Sequence, residues 1–204
     1  MDKPIKKLND REVRMADMTA SEGSERVVEG RAIVFDTPTL LYEWESVKYY
    51  EIIARGALEG ADLSDVPFKY NHSEHTMVMA RTRNKTLELK ISDAGLDIRA
   101  ELADTTAGND LHKLVKRRDI DKMSFMFSVR ESSYDNETHT RTITKIKKLW
   151  DVSAVDTPAY QDTYISARSF FEAEAEKERM AAEAAGLAKQ RLALRCKLIQ
   201  IQED

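Results

Sequence analysis

What is scarce in this chain narrows it first. Its 204 residues include one cysteine, Cys196, which excludes a disulfide within the chain and suits a reducing cytoplasm. Cys196 lies in a charged tail without a thiolate-stabilising motif nearby, and it is read as incidental. The opening "MDKPIKKLNDREVR" has no apolar stretch of the signal-peptide type, and no window approaches the length of a membrane span. The formal net charge is −4, so there is no overall attraction for nucleic acid or an anionic membrane. The basic runs "KLVKRR" and "KIKK" are then solvated faces or a helix end. There is no internal repeat and no Gly-x-Ser-x-Gly elbow. His72 and His75 form a lone "HSEH" pair after a strand, where a zinc site needs three or four ligands.

What is present is a β pattern followed by a helical one. Hydrophobic residues make up 42% and charged residues 33%, enough for one medium domain with an appendage. Residues 1–25 are polar, with "TASEGSE" as a connector, so order is expected to begin near Arg26. "RVVEGRAIVF" alternates as a strand that Gly30 could bend or bulge. "VKYYEIIARGAL" gives a strand and a turn, and "VPFKYNH" another strand leaving at His72. In "KTLELKISDAGLDIRAEL", Leu87, Leu89 and Ile91 share one face of a hairpin; Leu96, Ile98, Ala100 and Leu102 share the returning one, with "SDAG" as the turn. A helix over about Thr106–Arg118 has a threonine N-cap, an apolar stripe of Leu111, Leu114 and Val115, and a basic last turn.

The stretch "DKMSFMFSVR" at 121–130 poses the sharpest question. Met123, Phe125, Phe127 and Val129 point one way, and Lys122, Ser124, Met126, Ser128 and Arg130 the other. Ser124 therefore lies on the second face of a sheet whose first face packs a core. There it is either a strand hydroxyl or a displayed nucleophile; the latter needs an adjacent base and an orienting group. "YDNE" turns the chain into "RTITKIKKLW", and "WDVSAVDTPAY" ends the β region. After Ser169 the composition shifts to Ala, Glu, Lys, Arg and Leu, and "SFFE" fits a capping box with Ser169 as N-cap. Leu187, Leu194 and Ile201 make a short heptad seam interrupted by Gly186, which fits a solvated helix as well as a partner-binding one.

Taken in order, these segments resemble the prohead maturation proteases of tailed bacteriophages. The resemblance rests on "EGRAIVF" at 29–35, "RGAL" at 55–58, Asn71-His72, Gly95-Leu96, "SFMF" at 124–127 and "WDVSAVDTPAY", and it covers about residues 26–168. Met126 replaces the usual glycine of an "SFGF"-like strand, and Asp151 stands where glutamate is common.

The resemblance implies an assemblin-like fold, as in the herpesvirus proteases: mainly β with α, an antiparallel β-barrel ringed by helices, with a long C-terminal helix added. It divides the chain into a flexible segment 1–25, a serine protease domain 26–168 and a helical tail 169–204, the tail removed by self-cleavage at an exposed connector. It also implies a serine endopeptidase with Ser124 as nucleophile, His72 as general base and Asp151 as orienting acid, requiring no cofactor or metal. A neutral imidazole, with a reference pKa of ~6.5, can take the hydroxyl proton, and a carboxylate beside it favours its charged form. His75 and Asp156 are the substitutes for base and acid; Ser128 and Ser153 share faces with the site residues and are read as local hydrogen-bonders. His112 and His139 are expected at the surface.

The implied partners are the major capsid protein, a scaffold protein, or both, and further copies of the chain, inside assembling proheads in the host cytoplasm; neither nucleic acid nor membrane is among them. The rival reading is a non-enzymatic capsid or scaffolding protein, and a weaker one is a metal-dependent hydrolase using His72 and His75.

Overall fold

A computed structural model describes residues 11–44, 46–156 and 160–203. The chain divides into two compact units, Met1–Ser166 and Ala167–Asp204. In the first, the strands are β1 (Glu12–Asp17), β2 (Thr19–Ala20), β3 (Val27–Val34), β4 (Thr39–Trp44), β5 (Val47–Ile53), β6 (Pro67–Tyr70), β7 (Ala80–Arg81), β8 (Leu87–Ser92) and β9 (Gly95–Glu101). Helix α1 (Thr106–Arg117) and the long strands β10 (Lys122–Asp135) and β11 (Thr140–Val155) follow, and α2 runs Tyr160–Glu203.

Among the described residues the strands form two sheets. One has the order β1-β10-β11-β5-β4, with β6 also on β11 and β7 on β6; the other is β2-β3-β9-β8. Their inner faces enclose the core, in which Ile33, Leu96 and Ile98 of one sheet and Phe68, Met123, Phe125, Phe127, Ile143 and Leu149 of the other are almost fully buried. β10 shows why: its odd-numbered residues 123, 125 and 127 are buried apolar groups, as strand alternation demands. The hairpin β8–β9 turns through two residues, with Ser92 opposite Gly95. Leu87 is buried, but Ile91 at the hairpin tip is 51% exposed.

Among the described residues the fold is mainly β with two α-helices, as expected, but three details differ. First, pairing among the described residues does not close a barrel, and the first sheet is mixed. Strands β5 and β6 both run parallel to β11, the first beside Thr140–Ile143 and the second beside Val152–Ala154. They lie along one edge of a single 16-residue strand, and the turns around "RGAL" carry the chain from one to the other without reversing it. Second, the segment expected to be flexible holds β1 and β2. β1 pairs with β10 from Glu12↔Phe127 to Asp17↔Lys122; the Met18 N–H then donates to Asp121 O at 2.8 Å, and β2 joins the other sheet. Gly30 serves this crossing, because a Cβ there would meet Asp17 O at 2.3 Å.

Third, α2 begins at Tyr160, so Ser169 lies inside it and residues 168–169 are helix rather than a connector. The capping box is only a local preference, and the helix-forming composition on its C-terminal side does not stop the helix from extending back. It continues through Gly186, and Met180, Leu187, Leu192 and Leu194 are all exposed. Helix α1 is close to expectation. Thr105 Oγ accepts from the Gly108 N–H at 3.2 Å, and Arg118 closes the C-terminus in a left-handed conformation. Leu111 and Val115 are buried, whereas Leu114 is partly exposed, so the apolar stripe is narrower than the sequence implied. No helix among the described residues is long and apolar enough to cross a membrane.

Candidate active site

Ser124 sits mid-sheet on β10, on the face away from the phenylalanines. Its cross-strand partners are Met15 of β1 and Ser153 of β11, and cross-strand partners share a face. The residue was expected to be displayed, yet it is only 2% exposed. Its strand is internal to the sheet, and Met15 and Met126 stand on the same face.

Asp151 reaches that face through a bulge. Met126 pairs with Asp151 but Phe127 pairs with Leu149, leaving Trp150 as the extra residue of β11. The core thus receives Leu149 opposite Phe127 and the site receives Asp151. Trp150 Nε1–H donates to Ser128 Oγ at 2.7 Å, which accounts for the buried Ser128 hydroxyl.

His72 follows the end of β6. Asn71 and His72 have φ values of 51° and 52°, a left-handed region that costs a non-glycine residue about 1–2 kcal/mol. Asparagine and histidine enter it more readily than most residues. The end of β11 holds this turn: Asn71 N–H donates to Ala154 O at 2.9 Å, and His72 N–H donates to Ser153 Oγ at 3.2 Å.

The turn brings the three expected residues together. His72 Nδ1 is 2.5 Å from Asp151 Oδ1, and His72 Nε2 is 2.7 Å from Ser124 Oγ. Ser153 Oγ–H also donates to Asp151 Oδ1 at 3.0 Å, and Lys69 Nζ lies 4.0 Å from Asp151 Oδ2. An ionised Asp151 only accepts, so Nδ1 carries the ring proton and the Nε2 lone pair faces the serine hydroxyl. This arrangement can withdraw a proton from Ser124 and hold the resulting imidazolium against a carboxylate.

The substitutes are placed elsewhere. His75 is exposed, and its backbone N–H donates to Ser73 Oγ. Asp156 is also exposed and bonds to Tyr70 and Asn71. His112 and His139 are half-buried rather than at the surface. Burial, then Lys116 and Arg26, push His112 below its usual pKa, while His139 Nδ1 lies 3.2 Å from the Tyr134 hydroxyl. Among the described residues, no group of three or more His, Cys, Asp or Glu could hold a metal. Sequence reading did not foresee the left-handed Asn71-His72 pair or the closeness of Lys69 to Asp151. An asparagine directly after a strand was the one available signal for the first.

A two-sheet protein with a hydroxyl, an imidazole and a carboxylate in hydrogen-bonded series has the constellation of a serine hydrolase. The model of the caudovirus prohead serine proteases matches residues 10–178, and the chain belongs to that family. Among solved structures, the bacteriophage T4 capsid assembly protease gp21 is similar at 13% identity and a TM-score of 0.38, covering 74% of this chain and all of that one. No curated protein matches. The closing Pro158-Ala159 of the motif lies outside the described residues.

Proposed function

We propose that this chain is the serine endopeptidase of phage capsid maturation, with Ser124 as nucleophile, His72 as general base and Asp151 as orienting acid. It would cleave the scaffolding segment of the capsid protein or a separate scaffold, and then itself, within the prohead in the host cell. The observation that carries this reading is the pair of hydrogen bonds that runs from Ser124 through His72 to Asp151, in a chain of the prohead serine protease family.

In the proposed cycle, Ser124 Oγ attacks the scissile carbonyl as His72 Nε2 takes its proton. Asp151 stabilises the imidazolium and keeps the ring in the useful tautomer. The imidazolium then gives the proton to the leaving amine, and a water activated by the same nitrogen releases the acyl group. Ser153 contributes by bonding both to Asp151 and to the backbone of His72. Self-cleavage near residue 168 would require α2 to open locally, because an extended segment is what presents a carbonyl to the serine.

The test uses diisopropyl fluorophosphate on the purified full chain. Ser124 Oγ–P forms, P–F breaks, fluoride leaves and His72 takes the proton. The expected result is one adduct, on Ser124, absent from Ser124→Ala and indifferent to a chelator. Adduct formation elsewhere, or activity lost only to the chelator, would overturn the reading.

A further inference from the structure

The imidazole is aimed by a turn that L-residues resist, and something must hold that turn. Asn71 and His72 are consecutive non-glycine residues in left-handed conformation, and such geometry persists where its surroundings over-determine it. Asn71 N–H and His72 N–H are both fixed to β11, as described above. A third hold comes from outside the reacting set. Asp156 Oδ2 accepts from the Tyr70 hydroxyl at 2.6 Å, and its Oδ1 accepts from Asn71 Nδ2 at 3.0 Å. The Asp156 N–H donates back to Asn71 Oδ1 at 3.3 Å. One carboxylate thus grips the two residues immediately before His72, and the reciprocal pair with Asn71 locks the amide's orientation.

We propose that Asp156 is a positioning residue, acting through Asn71 and Tyr70 to keep the His72 imidazole between Ser124 and Asp151. The proposal rests on the reading of His72 as the general base. Asp156 does not touch the reacting atoms; its contacts go to the chain that carries the base. A carboxylate fits the task better than a neutral side chain, because it has two acceptor oxygens and the two donors, a phenol and an amide, come from neighbouring residues. Charge-assisted bonds of this kind are shorter and stronger than neutral ones, which suits a hold that is open to solvent.

Three other features carry less. The groove beside β1, β3 and β4 mixes Leu40, Leu41 and Phe125 with Arg14, Glu51 and Lys122, and a lining of both signs names no single occupant. The exposed Met77 and Val78 follow His72 closely, but no contact ties them to Ser124. The exposed leucines of α2 lack a continuous seam.

The experiment measures phosphorylation of Ser124 by diisopropyl fluorophosphate on the full chain, separating the maximal rate from the reagent concentration at half-maximum. Asp156→Ala is expected to lower the maximal rate at least about tenfold, a typical scale for losing a supporting partner, and to leave the half-maximal concentration within about twofold. Asn71→Ala should behave alike. The double variant should be no slower than the slower single one, because both remove the same link. Asp156→Asn, which keeps the size but one acceptor oxygen fewer, should fall between wild type and Asp156→Ala, and it carries the test if the alanine variant does not fold. Asp97→Ala, which removes a half-buried carboxylate paired with Arg31 on the second sheet, should label at the wild-type rate.

A wild-type rate in Asp156→Ala and Asp156→Asn overturns the proposal. So does a change confined to the half-maximal concentration, a fully multiplicative double variant, or an equal loss in Asp97→Ala. Wild-type protein that is not labelled at Ser124 overturns the functional reading itself, and this inference with it; that result is distinct from labelling that ignores Asp156.

Discussion

Two polar networks use opposite faces of the same sheet, and their difference separates holding from acting. On β1, Arg14 lies opposite Phe125 and Met15 opposite Ser124, so the two networks leave the strand on different sides. The first consists of Arg14, Arg141, Glu12 and Glu51. Arg14 forks onto Glu51 at 2.6 and 2.7 Å and also reaches Glu12 at 2.7 Å. Arg141 forks onto Glu12 at 2.8 and 3.0 Å and touches Glu51 at 3.4 Å. Two cations face two anions, and the bonds tie β1, β5 and β11 together. The second network, Ser124–His72–Asp151 with Ser153, has one carboxylate, with Lys69 Nζ 4.0 Å from it. Its imidazole stands between a hydroxyl and that carboxylate, so a proton can pass from one side of the ring while the carboxylate stabilises the charge on the other. A buried cluster of two cations and two anions is costly to break once formed, whereas a hydroxyl, an imidazole and a carboxylate in series can pass a proton without separating unpaired charge.

If that contrast is right, variants of the two networks fail in different measurements. The largest expected effect is in the second. His72→Ala should lose essentially all peptide cleavage, and Asp151→Asn should lose on the order of 10³-fold or more, because an amide favours the wrong tautomer. His75→Ala should retain most activity. His75→Ala, at an exposed position, should unfold within about 1 kcal/mol of wild type. The other two should lose no more than about 1–3 kcal/mol, the cost of a buried polar group left unpaired. Steady-state cleavage and urea unfolding on the same preparations check this, and the reverse ranking of the two histidines would identify the wrong base.

Next is Glu51→Ala, which leaves two buried guanidinium groups with one carboxylate between them. Breaking such a cluster costs about 3–5 kcal/mol, read as a shift of the urea midpoint. Cleavage per folded molecule should be almost unchanged. Selective loss of cleavage with normal stability would erase the distinction between the networks.

The smallest effect is in acid. Burial alone would raise the Glu12 carboxyl, but the charges of Arg14 and Arg141 and the hydrogen bonds from both bring it below the ordinary range. A carboxyl lowered in the folded state contributes stability above its unfolded pKa of about 4.3, and that contribution is lost as pH falls through the lower folded value. Thermal midpoints measured from pH 7 down to pH 3 should therefore fall more steeply for wild type than for Glu12→Gln. Parallel curves would mean that Glu12 is not held in its charged form.

The legible parts of the molecule are those set by near neighbours. Strand alternation in "KMSFMFSV" was enough to put Ser124 and the phenylalanines on opposite faces, and the "SDAG" turn lies where local chemistry favours it. Of "YDNE", Tyr134 and Asp135 still pair in β10, and the chain reverses over residues 136–139. The order of motifs led to Ser124, His72 and Asp151, which the fold brings into hydrogen-bonding contact across separations of 52 and 79 residues. β1 was hidden because "EVRMAD" reads as a polar segment; its Arg14 is buried against Glu51, 37 residues away, as well as its neighbour Glu12. The parallel pairing of β5 and β6 on β11 is a tertiary fact with no local mark. The start of α2 was misplaced because a capping box looks alike at a helix end and in its interior.

The central claim is that Ser124 is the nucleophile of a capsid-processing protease, and the most direct measurement is co-expression of the full chain with its phage's capsid protein. Wild type is expected to yield shortened capsid chains, and Ser124→Ala, equally folded and equally abundant, to leave them at full length. Undiminished capsid cleavage by Ser124→Ala would contradict the account.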